Sequence, residues 1–301
     1  MKKSPKRLGD FITKVLAIEV ENEQETSQIA FMARALVMAT LPHSKPDDNY
    51  FERKSGHYTL SMIANPKFGL PYASIPRMLL AWMTTYAVKK NSAEIPLGNT
   101  LTAFLKKLNI SNEGGNAKRV RDQMMRLLTC QISCVYHDNK YGISKGSQFN
   151  ISRSFKLLWS TDGTSQQEFL PNSKIILSQD FFESLIQKPI PINFKTLNLL
   201  RQSPLQMDIY MWLTYRFFSL KKETCIPWKS LSNQFGSNYS NLTGDNTRGA
   251  RNFKGKFLQA LKRVWMVYPA ANLSPDRQGL TLYPSETHIK KSQKKRETPC
   301  G

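Results

Sequence analysis

The sequence has few acidic residues, cysteines and histidines, and it has no apolar run near the roughly 20 residues that cross a bilayer. Its four cysteines are too few and too scattered for a disulfide framework: Cys130, Cys134, Cys225 and Cys300. The first residues carry positive charge but neither a clean apolar core nor a small-residue cleavage site, so a signal peptide is not expected. These absences predict a cytoplasmic protein without a membrane segment.

The residue sets that metal or nucleophilic chemistry needs are also missing. The four histidines are dispersed and form no His-x-His pair, which a nicking enzyme of the rolling-circle type would need for its metal. Cys130 and Cys134 lack the second pair of a zinc site and are interpreted as small buried side chains. Residues 249–256 have the wrong spacing for a phosphate loop. The sequence therefore predicts no catalytic residue, no metal and no cofactor, and hence no enzyme.

Positive charge is abundant. The chain of 301 residues has 43 Lys and Arg against 22 Asp and Glu, a formal net charge of +21. Such an excess favours a polyanionic partner, which could be DNA, RNA or an anionic membrane surface. The length is sufficient for two modest cores with flanking segments.

One sequence pattern occurs twice, about 130 residues apart. LLAWMTTYAVKKNSAEIPLGNTLTAFLKKL begins at Leu79, and IYMWLTYRFFSLKKETCIPWKSLSNQF begins at Ile209. Trp82 and Phe104 in the first copy match Trp212 and Phe235 in the second. Each copy predicts an apolar helix, a short Ile-Pro strand, a second helix and a basic third helix, which is the element order of a winged-helix DNA-binding domain.

The repeat predicts an α+β fold with two tandem winged-helix domains, a partly ordered N-terminal extension and a basic disordered tail. The expected boundaries are 1–70 for the extension, 71–187 for the first domain, 188–286 for the second domain and 287–301 for the tail. Within the extension, we expect a mobile segment at 1–26, a helix at 27–42, a loop at 44–56 and a strand at 57–64. A strand over residues 131–136 and another near 149–151 are expected to form the first wing.

The third helix of each copy combines an apolar stripe with basic residues. Stripes at helical spacing are Val120, Met124, Leu127 and Leu128 in the first copy, and Phe253, Phe257, Ala260 and Leu261 in the second. No acidic residue occurs between Asn246 and Pro275. The polar side chains predicted to contact DNA are Lys118, Arg119, Arg121, Arg126, Arg248, Arg251, Asn252, Lys254, Lys256, Gln259 and Lys262.

These residue types suit duplex DNA. Lys and Arg neutralise phosphates, and Arg, Asn and Gln can read base edges in the major groove. We predict groove contacts for Arg119, Arg126, Arg248, Arg251 and Asn252, and backbone contacts for Lys118, Lys254, Lys256 and Lys262. The alternative is that these basic residues only face solvent. Two matched copies of the pattern favour DNA binding over this alternative. The aromatic residues around Trp82 and Trp212 are interpreted as core.

Several segments resemble the plasmid-encoded RepA replication initiator family: FMARALVMATLPH, FERKSGHYTLSMIA, GLPYASIPRMLLAW, and the run from IPLGNTLTAFLKKLNI to KRVRDQMMRLLTCQISCVY. The resemblance extends from about Ala30 to Pro284. It implies a bacterial protein that binds repeated sites in double-stranded DNA at a plasmid origin, promotes duplex opening and recruits the host replication initiator and helicase machinery.

The resemblance also implies a homodimer as a second form, because related initiators switch between DNA-bound monomers and dimers that repress their own gene. Two alternatives stay open on the sequence. One is a winged-helix transcriptional repressor without an initiator role, and the other is a nicking or cleaving enzyme.

Overall fold

Helices and short antiparallel strands alternate along the chain. The computed structural model describes residues 10–11, 14, 29–98, 100–138, 141–157, 173–236 and 247–289. The helices are α1 Arg34–Met38, α2 Ser74–Lys90, α3 Leu101–Lys107, α4 Asn116–Thr129, α5 Gln179–Gln187, α6 Phe194–Leu199, α7 Pro204–Ser219, α8 Trp228–Phe235 and α9 Thr247–Val267. The strands are β1 Ile29–Met32, β2 Tyr50–Ser55, β3 Tyr58–Ile63, β4 Glu94–Pro96, β5 Gln131–Asp138, β6 Ile143–Asn150, β7 Ser152–Lys156, β8 Lys174–Leu177, β9 Ile190–Asn193, β10 Thr224–Pro227, β11 Leu273–Pro275 and β12 Gly279–Leu282.

Two units share one order of elements. The first unit consists of α2, β4, α3, α4, β7 and β8, and its three strands pair in the order β4–β8–β7. The second unit consists of α7, β10, α8, α9, β11 and β12, and its strands pair in the order β10–β12–β11. In both sheets the strand after the first helix pairs with the last strand of the unit. Both units are therefore winged-helix-like.

The repeat in the sequence corresponds to a repeat in packing. Trp82 on α2 meets Phe104 on α3 edge-on at 4.9 Å between ring centroids, and Trp212 on α7 meets Phe235 on α8 in the same way at 5.4 Å. In each unit the aromatic pair ties the first helix to the second. These rings belong to the core, since Phe104, Trp212 and Phe235 are buried and the partly buried Trp82 packs against the core.

The predicted first wing is wrong. β5 and β6 do pair with each other, but they join β2 and β3 in a four-stranded sheet of order β2–β3–β5–β6. The strands in the wing position are β7 and β8, and residues 158–172 between them lie outside the described residues. The predicted strand over 131–136 is confirmed as part of β5. Its second partner, β3, lies about 70 residues earlier in the chain and is therefore beyond the reach of a local pattern.

The predicted helix over 27–42 is also corrected. Residues 29–32 form β1, which pairs antiparallel with β9, and the helix that follows spans only Arg34–Met38. The pairing with β9 fixes an extended backbone where local apolar spacing indicated a helix. The segment 44–56, predicted as a loop, contains β2, which pairs with β3 along its whole length. β3 lies within the predicted strand at 57–64.

Part of each predicted terminal segment is described. Within 1–26 these residues are Asp10, Phe11 and Lys14, and the others lie outside the described residues. In the segment 287–301, residues 290–301 lie outside them as well. His288 corrects the prediction of a tail that is disordered from residue 287, because its ring stacks on Tyr268 at 4.8 Å and its Nδ1 lies 2.8 Å from the hydroxyl of Tyr210. Among the described helices, none combines the length and apolarity that crossing a bilayer requires.

Candidate nucleic-acid interface

The third helix of the first unit, α4, begins after Gly114 and Gly115, which both adopt positive φ angles. Its apolar stripe of Val120, Met124, Leu127 and Leu128 is buried. At the start of the helix, Lys118 and Arg119 are exposed, while Arg121 is half-buried. The exposed basic residues of α4 are therefore concentrated in its first turns.

Arg126 is held by its own unit. Its Nε donates to Asp122 Oδ2 at 2.8 Å, its Nη1 donates to the carbonyl oxygen of Leu70 at 3.4 Å, and its guanidinium lies over the Tyr72 ring at 5.4 Å. Its side chain is 14% exposed. The GLPY segment thus covers this flank of α4. A groove contact by Arg126 stays a prediction and would require these bonds to be shared with or exchanged for DNA.

The third helix of the second unit, α9, presents a longer polar face. Phe253, Phe257, Ala260 and Leu261 are buried, and Phe257 packs edge-on against Trp228 of α8 at 5.9 Å. The predicted contact residues that are exposed on this helix are Arg251, Asn252, Lys256, Gln259 and Lys262. Arg248 belongs to the first turn of α9, and its side chain lies outside the described residues. The structure thus brings five of the seven candidates of this copy to one exposed surface.

Lys254 does not share that exposed surface, since it turns toward the wing of its own unit. Its Nζ donates to the carbonyl oxygen of Asp276 at 2.7 Å and lies 4.7 Å from the centre of the Trp228 ring. Trp228 Nε1 donates to the same carbonyl oxygen at 3.1 Å. A phosphate contact by Lys254 stays a prediction, and its bonds give it a second role, which is to hold the wing turn against α9.

Sequence reasoning missed the wing turn of the second unit. Asp276 Oδ1 accepts hydrogen bonds from the backbone N–H groups of Gln278 and Gly279, which closes the turn between β11 and β12. Arg277 is exposed at its tip. The sequence contains a signal for this turn, since Asp-x-x-Gly between two short apolar segments is typical of a hairpin turn. The first unit has exposed Arg153 and Lys156 on its own wing strand β7.

A buried ion pair joins the two units. Arg77 on α2 donates from Nε and Nη2 to the two carboxylate oxygens of Asp208 on α7, at 2.7 and 2.6 Å. The two side chains are 1% and 2% exposed. His43 Nε2 lies 2.7 Å from Asp208 Oδ2. We call Arg77, Asp208 and His43 the interunit clamp. It fixes the first helix of one unit to the first helix of the other.

Burial and charge act in opposite directions on the clamp. Burial alone would raise the pKa of Asp208, but the charge and hydrogen bonds of Arg77, with a further contribution from His43, hold that pKa below its usual value. Burial lowers the pKa of His43 despite its bond to Asp208. Asp208 lies beyond the first turn of α7, and its position is explained by this pairing across the units, which nothing in the local sequence indicates.

The N-terminal extension reinforces the junction. Arg53 on β2 is buried and donates from Nη1 to the carbonyl oxygen of Gly236, just after α8. Burial lowers its pKa to about 10. Gln234 Nε2 donates to the carbonyl oxygen of Met38, and Thr40 Oγ1 donates to that of Gln234. The extension is therefore bonded to the second unit as well as to the first.

One protein family and two solved structures are similar to this chain. A family model described as "Plasmid encoded RepA protein" matches residues 70–229, a little more than half of the chain. A crystal structure of domain 2 and domain 3 of RctB is similar over 84% of this chain and 99% of that chain, with a TM-score of 0.54 and 14% sequence identity. A second structure, of RctB domains 2-3, covers 83% of this chain and 95% of that chain, with a TM-score of 0.49 and 13% identity. No curated protein matches the sequence.

Proposed function

The chain belongs to the plasmid-encoded RepA protein family, which supports a role in the initiation of plasmid replication, and we propose that it acts by binding repeated duplex sites at the plasmid origin. It then promotes opening of the duplex and recruits the host replication initiator and helicase machinery. In this proposal the protein works by binding and carries out no catalytic step. α4 and α9 are the two elements that meet the DNA.

One observation carries the proposal. Each winged-helix-like unit buries the apolar stripe of its third helix and leaves basic and amide side chains exposed on the other side. The exposed side chains are Lys118 and Arg119 on α4, and Arg251, Asn252 and Lys256 on α9. Basic groups neutralise phosphates without reading sequence, whereas arginine and asparagine can bond to base edges. A net charge of +21 adds long-range attraction to DNA.

The interunit clamp supports binding to an extended site. Because Arg77 and Asp208 fix the two first helices to each other, the two third helices keep a set distance and orientation. A fixed spacing between two reading elements selects DNA by the separation of its half-sites as well as by base identity. Repeated sites at an origin suit such a protein, since each copy of the site binds one chain in the same register.

A homodimer form is part of the proposal. β6 is an outer strand of the four-stranded sheet, and Ile143 at its start and Tyr141 in the turn before it are exposed. An edge strand can pair antiparallel with the same strand of a second copy, which generates a two-fold axis. The dimer is then the form that represses the protein's own gene. Replacing Tyr141 and Ile143 with lysine should lower the dimer fraction in sedimentation experiments.

The test of the main proposal has two parts. DNA flanking the protein's own gene is footprinted, and direct repeats should be protected, with affinity falling about 10³–10⁵-fold between 50 and 200 mM salt if roughly 6–10 phosphates are contacted. The protein is then supplied in trans to a plasmid that carries only that origin. Maintenance of the plasmid supports initiation. Promoter binding without maintenance would instead indicate a transcriptional repressor.

Incubation with supercoiled DNA and Mg²⁺ tests the proposed absence of catalysis. The proposal expects the DNA to stay supercoiled and no covalent protein–DNA adduct to form. Nicked product or an adduct would contradict it.

A further inference from the structure

Gly255 occupies an unusual position on α9. It lies in the interior of a 21-residue helix, where glycine is less favourable than alanine because it loses more backbone freedom on folding. Gly255 does not have a positive φ angle. Among the described residues, a Cβ built at this position would meet no atom within 4 Å beyond the helix's own neighbouring backbone. Neither backbone conformation nor packing within the described fold therefore requires a glycine here.

The surroundings of Gly255 are the residues predicted to bind DNA. On a helix, positions three and four apart are neighbours on one face. Arg251 and Asn252 precede Gly255 by four and three positions, and Gln259 follows it by four, and all three are exposed. Gly255 thus forms a shallow notch in the polar face of α9, bordered by three side chains that are able to bond to base edges.

The equivalent position in the first unit differs. Alignment of the buried stripes, Val120 with Phe253 and Met124 with Phe257, places Asp122 of α4 where Gly255 stands in α9. Asp122 is 43% exposed and pairs with Arg126. A carboxylate at that place repels phosphates, and its side chain fills the space that the notch leaves open. The two helices therefore present different surfaces at the same point of the same fold.

We propose that Gly255 is a specificity-determining position at which the backbone of α9 makes its closest approach to a base-pair edge in the major groove. The missing Cβ lets the helix sit deeper, so that Arg251, Asn252 and Gln259 reach base edges rather than phosphates. The second unit then supplies most of the sequence reading, and the first unit mainly positions the complex through Lys118 and Arg119. This inference rests on the proposed DNA binding and assigns the reading to one unit.

Folding and binding respond to this position in opposite directions. Gly255→Ala and Gly255→Leu both improve helix propensity at an exposed site, so the thermal midpoint of unfolding should rise by about 1–3 °C. Each added side chain also keeps the helix away from the groove. We expect the affinity for a specific duplex to fall several-fold in the alanine variant and at least about tenfold in the leucine variant.

The experiment uses the full chain and a duplex that the wild-type protein enriches from a random library. Affinities of the wild type, Gly255→Ala, Gly255→Leu and the control Gln187→Leu, an exposed residue on α5, are measured on that duplex and on a scrambled one. Loss on the enriched duplex alone, graded with side-chain size, is the expected result. Equal affinity of all four proteins, or equal loss on both duplexes, would overturn the inference while leaving DNA binding intact. A wild-type protein that enriches no duplex would refute the proposed function and this inference with it.

Discussion

Removing the charge of Asp208 tests whether the interunit clamp stabilises the whole chain. Asparagine has nearly the shape of aspartate, so Asp208→Asn changes charge and hydrogen bonding with little change in volume. In the wild type, Asp208 accepts three short bonds, two from Arg77 and one from His43. In the variant, the amide group faces these donors, and the Arg77 guanidinium, 1% exposed, loses its counter-charge.

The expected loss of stability is large. Breaking a buried ion pair by removing one partner costs about 3–5 kcal/mol, because an uncompensated charge is left in the interior. Arg77 keeps bonds to the backbone oxygens of Leu41 and Ala73, which places the expected value toward the lower end, about 3 kcal/mol. The double variant Arg77→Met with Asp208→Leu removes both charges and should recover part of that loss, because it also leaves the oxygens of Leu41 and Ala73 without their donor.

The measurement is urea unfolding followed by circular dichroism. Glu94→Gln is the control, since Glu94 and Lys174 form an ion pair of similar length, 3.0 Å, in which the side chains are 53% and 41% exposed. Exposed pairs contribute about 0–1 kcal/mol, so the control should unfold close to the wild type. An Asp208→Asn protein whose stability lies within about 1 kcal/mol of the wild type, or a double variant no more stable than the single one, would refute the role of the clamp.

Three further predictions concern acid sensitivity, base reading and the second wing. Burial lowers the pKa of His288 to about 4, so the unfolded chain binds the proton more readily than the folded chain. The free energy of unfolding should therefore fall by about 1–2 kcal/mol from pH 7 to pH 5. His288→Gln should reduce this pH dependence in urea titrations. Arg251→Ala should weaken binding to a cognate duplex by roughly 1–3 kcal/mol and leave binding to random DNA unchanged. An equal loss of affinity for both duplexes in a filter-binding assay would indicate that Arg251 contacts phosphate and not a base. A Cβ on Gly279 would overlap the carbonyl oxygen of Ile226 across the sheet, so Gly279→Ala should lower the unfolding midpoint. Gly56→Ala is the control. A Cβ on Gly56 meets no described atom, so this change would act only through the positive φ of Gly56.

The repeated part of the fold could be predicted from the sequence because it is built from local signals. Apolar residues at helical spacing define the buried faces of α4 and α9, and the Ile-Pro pairs mark strands β4 and β10. Trp82 and Trp212, which the sequence matches and which we interpreted as core, also share a packing partner, since each tryptophan meets the phenylalanine of its own copy edge-on. Two copies of one pattern supply evidence that a single copy lacks.

The N-terminal extension could not be predicted in the same way. β1 pairs with β9, about 160 positions later in the chain, and the sheet of β2 and β3 continues through β5 and β6. A sequence window of ten or twenty residues does not contain both partners, so it does not indicate that they pair. Even the local evidence was misleading, since the apolar residues from Ala30 to Met38 fit a helix by spacing while long-range pairing makes part of them a strand.

The candidate site was partly predictable for a related reason. Periodicity correctly assigns the apolar residues of a helix to its buried face, but it does not distinguish a cation that faces solvent from one bound to a neighbouring loop. Arg126 is bonded to Leu70 and Lys254 to Asp276, and both partners lie far away in sequence. The same bonds show how each third helix is held, one by the GLPY segment and the other by its wing turn. The exposed surface of α4 is therefore shaped in part by the GLPY segment, which precedes the repeated pattern in the sequence.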